Sequence, residues 1–144
     1  MKRSSRTFKL RLSAAGMDLL IDSHCHLIRS TRALLAWGTT LHVAVDHLDT
    51  VQPSVVAEQL CSLPSRGLSG QEEHHLGAPQ GVNEVAARIA ERVRQMAPGS
   101  DVPTLASVYM IALLQMTRAD GETLRAIYAR TKAIPSRQGG NVRD

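Results

Sequence analysis

A chain of 144 residues, 43% hydrophobic and 21% charged, can bury a real core, which excludes wholesale disorder. Aromatic residues make only 3% of it, so packing falls to Leu, Val, Ile, Ala and Met; this favours helix on helix and disfavours base stacking on single-stranded nucleic acid. The net charge of +4 sits at one end, because five of the 17 Lys and Arg lie in residues 1–16 without an acid, and the rest of the chain holds 12 bases against 13 acids.

Residues 1–16 read as a basic N-terminal leader or an edge strand. Phe8, Leu10 and Leu12 alternate with Lys9 and Arg11, the period of a half-buried strand. Ala14-Ala15-Gly16 could then turn the chain into a second strand over 18–22, giving a small β-hairpin. A helix is expected over 26–37, ended by Gly38, where a left-handed cap is least strained. Residues 41–48 fit either a strand or a helix. Pro53 suits the first turn of a helix reaching about Leu63, which closes an N-terminal half over 17–63.

Residues 64–81 hold four glycines and two prolines without an apolar period, and read as a flexible linker. Beyond it, 82–134 predict a three-helix unit followed by a tail over 135–144. Asn83 is the expected cap of the first helix, with Val82, Val85, Ala86, Ile89, Ala90 and Val93 on one stripe. Asp101 is the expected cap of the second, which is apolar nearly all round from Leu105 to Met116. Asp120 caps the third, and Pro135 ends it. The fold class is therefore mainly α: a C-terminal three-helix unit packed with a helical N-terminal half that carries, at most, a small β-hairpin.

No run approaches the roughly 18 apolar residues of a membrane span. Two cysteines, Cys25 and Cys61, without the apolar core of a signal peptide point to a reducing, cytoplasmic setting, with a secreted effector as the alternative.

The most chemically suggestive cluster is Ile21-Asp22-Ser23-His24-Cys25-His26-Leu27. In an extended segment, residues two apart share a side, so Asp22, His24 and His26 would converge as ligands for a divalent metal. Asp-Ser-His-Cys-His-Leu after a short apolar run resembles the first-strand signature of TatD-type nucleases and other amidohydrolases. That resemblance implies metal binding by His24 and His26 and a hydrolase or a relic of one. It covers about a dozen residues, and those enzymes are barrels of roughly 250 residues.

Two further functions compete. Arg118, Arg125, Arg130 and Lys132 around the Asp120-Gly121 break suggest a helix-turn-helix DNA-binding regulator, helped by the basic N-terminus. The apolar helix 105–116 suggests instead a non-enzymatic regulatory or adaptor protein that binds another protein or itself as a homodimer, through Val108, Ile111, Leu114 and Gln115. Association is the leading expectation, with no cofactor beyond the metal that the histidines would hold.

Overall fold

The computed structural model describes residues 6–78, 81–96, 99 and 101–141, with side chains over 9–77, 81–96, 99 and 101–132. Strand β1 (Arg6–Leu12) leads into helix α1 (Ala14–Thr31), followed by α2 (Trp37–Leu48), α3 (Pro53–Ser62) and a short 3-10 turn (Leu63–Arg66). Strand β2 (Glu72–Ala78) and helices α4 (Val82–Met96), α5 (Leu105–Arg118) and α6 (Gly121–Asn141) complete the chain. The fold is mainly α with one small antiparallel sheet.

Helix α5 is as buried as its sequence requires. Val108, Tyr109, Ile111, Ala112, Leu113 and Met116 have no exposed surface. Its largest partner is α2, which buries Leu41, Val43, Ala44, Val45 and Leu48, so residues 41–48 are helical. These two apolar helices form the centre of the core, and α1, α3 and α4 cover α5 from other sides. Burial of this kind contributes about 25 cal/mol per Å² of apolar surface.

The three C-terminal helices exist, but they do not assemble on one another alone. Helix α6 buries Leu124 and Ile127 against α1 and α2 and scarcely touches α5. The expected unit over 82–134 is thus interleaved with the N-terminal helices. The apolar circumference of α5 is larger than two flanking helices can cover, and α2 and α1 supply the rest.

Strand β1 forms over the expected residues, but its partner is not 18–22. It pairs antiparallel with β2, placing Leu10 opposite His74 and Leu12 opposite Glu72. Residues 18–22 belong to α1, because Ser13 accepts a hydrogen bond from the Gly16 amide (3.1 Å) and starts a helix there. Leu19, Leu20, Ser23, Leu27 and Ser30 then form its buried stripe. The second strand comes from the segment expected to be a linker. Leu76 gives it one buried anchor, and Glu73 pairs across the sheet with Arg11 at 2.8 Å.

Other boundaries move for local reasons. Helix α1 stops at Thr31, with Arg32 in the left-handed conformation as its cap. Gly38 is not a cap; it lies in the first turn of α2, against the backbone of Gly77. Thr104, not Asp101, caps α5 by accepting from the Ser107 amide at 3.1 Å. Asn83 accepts from the Tyr109 hydroxyl and so joins α4 to α5. Asp120 caps α6 as expected, accepting from the Thr123 amide at 2.8 Å. Helix α6 continues through Pro135 to Asn141, since a proline forfeits one backbone bond without forbidding the helix around it. Among the described residues, no helix is long and apolar enough to cross a membrane.

Candidate functional site

The corner between α1 and α2 exposes large apolar side chains close together in sequence, among them Leu34, the most exposed of the large hydrophobics in the described residues. After the left-handed turn at Arg32, Leu35 packs against the core while Leu34 stands 95% exposed. Trp37, the first residue of α2, is 40% exposed, and its ring lies stacked on His24 at 3.9 Å between centroids and 16° between planes. His24 is in turn fixed by a hydrogen bond from its Nδ1 position to Thr40 Oγ1, at 2.6 Å. Burial holds the His24 pKa below its ordinary value, so a neutral ring backs the indole.

Helical spacing extends this surface along α1. Ile21 lies one turn before His24 and is 41% exposed; Cys25 and Ile28, partly buried, follow at intervals of four and three. An open hollow of about 250 Å³ adjoins them, lined by Ile28, Arg29, Arg32, Ala33 and Leu34. A rigid indole, an exposed leucine and two isoleucines beside arginines make a surface of the composition found where proteins bind one another.

Comparison with family models, with curated proteins and with solved structures finds no match.

The metal-ligand expectation fails on geometry. Because the segment is helical, residues two apart are turned about 200° from each other, so His24 points away from Asp22 and His26, which lie one turn apart on the other side. Asp22 is exposed, His24 is under Trp37, and His26 donates from Nε2 to the Ala119 carbonyl at 2.7 Å. Among the described residues, no group of three or more His, Cys, Asp or Glu gathers to hold a metal ion.

The expected interaction residues are also redistributed. Val108 and Ile111 are fully buried in the chain's own core, while Leu114 and Gln115 are partly exposed. The cover that α5 needs comes from α2 together with α1, α3 and α4. Of the expected nucleic-acid contacts, Arg118, Arg125, Arg130 and Lys132 are all exposed. They do not form one face, because Arg125 and Lys132 align on α6 while Arg130 is turned about 140° away. Arg125 also donates to the Ser30 carbonyl at 3.2 Å, and the Lys132 ammonium lies over the Tyr128 ring.

Several other polar side chains tie helices together. Ser23 is hydrogen-bonded to the Leu113 carbonyl (3.1 Å), Thr131 donates to Asp46 (2.6 Å), and Asp49 pairs with Arg88 and Arg92. Sequence reasoning missed the corner because Leu34 and Trp37 looked like the buried face of one helix. The signal available was Ser13, whose capping shifts that helix by a dozen residues.

Proposed function

We propose that the chain is a small regulatory or adaptor protein that acts by binding another protein, and that the α1–α2 corner is its contact surface. The observation that carries this is the exposure of Leu34 and Trp37 beside Ile21, with Trp37 held rigid on His24. A pre-ordered aromatic anchor loses little entropy on binding, and a fully exposed leucine gains most from being covered. Support also comes from the two histidines that first suggested chemistry, since His24 and His26 are each engaged in holding helices together.

Cross-linking mass spectrometry in the source cells tests this. Partner contacts should map to residues 21–37, and Leu34→Glu should remove them without changing the melting temperature. Contacts confined to another face, or unchanged in Leu34→Glu, would sink the proposal.

A further inference from the structure

The outward face of α1 is charged in a pattern that complements itself. Asp18, Ile21, Asp22, Cys25, Ile28 and Arg29, with the cap residue Arg32, each lie three or four residues from another of the set, opposite the buried stripe of Leu19, Leu20, Ser23 and Leu27. Both acids precede Cys25 and both bases follow it. Asp18 and Arg32 stand seven residues to either side, Ile21 and Arg29 four, and Asp22 and Ile28 three.

None of these four charged side chains has an ion pair among the described residues, although all are exposed. Within one chain, Asp18 sits one turn from Asp22 and Arg29 one turn from Arg32, so each neighbour repels its fellow. A second α1 laid antiparallel across the first reverses both relationships. Asp18 then meets Arg32 of the partner subunit, Asp22 lies beside the partner's Arg29, and the two copies of Ile21 and Ile28 line the seam. A parallel arrangement would set like against like.

Resting on the reading that this corner binds protein, we infer that its partner is a second copy of this chain, paired through α1 about a two-fold axis at Cys25. Such an isologous contact needs a surface complementary to itself, and this face is one. The seam from Asp18 to Arg32 extends roughly 21 Å at 1.5 Å per residue.

The test uses the full chain carrying Cys61→Ser, which leaves Cys25 as its one thiol. A short bis-maleimide should join two chains at Cys25, with light scattering giving twice the monomer mass. Two charge variants, Asp18→Arg/Asp22→Arg and Arg29→Asp/Arg32→Asp, should each be monomeric alone. Mixed, they should dimerise on the order of tenfold or more tightly than either does by itself. A wild-type monomer without a Cys25 cross-link, or variants that dimerise as well as the parent, would overturn the pairing. Should the charge variants fail to fold, the Cys25 cross-link decides. A monomer whose residues 21–37 still contact a different protein overturns the pairing alone; a monomer with no contact there overturns the association reading as well.

Discussion

Gly38 meets Gly77 backbone to backbone: a Cβ on Gly38 would stand 2.2 Å from the Gly77 carbonyl oxygen. This contact sets α2 against the sheet, so the first turn of α2, including Trp37, depends on it. Gly38→Ala must push β2 away and should destabilise the fold by about 1–3 kcal/mol, as overpacking of a rigid contact does. Gly77→Ala is the control. Its Cβ would meet nothing within 4 Å, and its stability should stay within about 0.5 kcal/mol of the parent. Urea unfolding of the two variants checks the asymmetry; equal losses would refute the contact.

Tyr109 should make the protein sensitive to alkali. Its ring is fully buried between helices, and its hydroxyl donates to Asn83. Burial, reinforced by the nearby Glu84 carboxylate, pushes its pKa up to about 12. The unfolded chain releases that proton near pH 10, its ordinary value. Stability contributed by the protonated phenol is therefore complete below pH 10 and declines as pH rises toward 12. Tyr109→Phe should cost about 1 kcal/mol at neutral pH through the lost hydrogen bond, and should flatten the alkaline decline. Denaturant midpoints at pH 8, 10 and 11.5 measure both effects.

Acid should act through His24 and His47. Burial lowers the pKa of each, so the folded protein keeps both rings neutral where the unfolded chain takes up protons. The unfolded state binds more protons below about pH 6.5, the ordinary value, and stability must fall as pH drops through it. His47→Met keeps the bulk of the side chain and removes one titrating group. Its melting temperature should depend less on pH between 7.5 and 5 than that of the parent. A parallel dependence in both proteins would show that His47 contributes none of it.

The site was only partly legible in advance. The alternation of Leu10 and Leu12 with Lys9 and Arg11 revealed β1, but nothing near it in sequence identified the partner strand. His74 and Leu76 lie more than sixty residues away in a glycine-rich segment, and pairing at that distance leaves no local periodicity to read. The DSHCH segment misled for the same kind of reason. Its three polar side chains converge in a strand, whereas a helix turns His24 away from Asp22 and His26, and the choice was made by Ser13 capping α1 and by the buried stripe that follows.

What the sequence determined alone was the class of fold and the centre of it. An aromatic-poor, Leu- and Ala-rich chain with an all-round apolar segment at Leu105–Met116 must bury that helix among others, since exposing it to water would cost more than any local preference returns. Which helices cover it, and therefore which apolar residues are left outside, followed only from tertiary packing. Val108 and Leu34 are equally apolar in sequence, yet one is at the centre beside α2 and the other stands in solvent beyond Arg32. Hydrophobic burial is indifferent to direction, and only the assembled surfaces of α2, α5 and α6 fix which face of each neighbour is taken and which is left free.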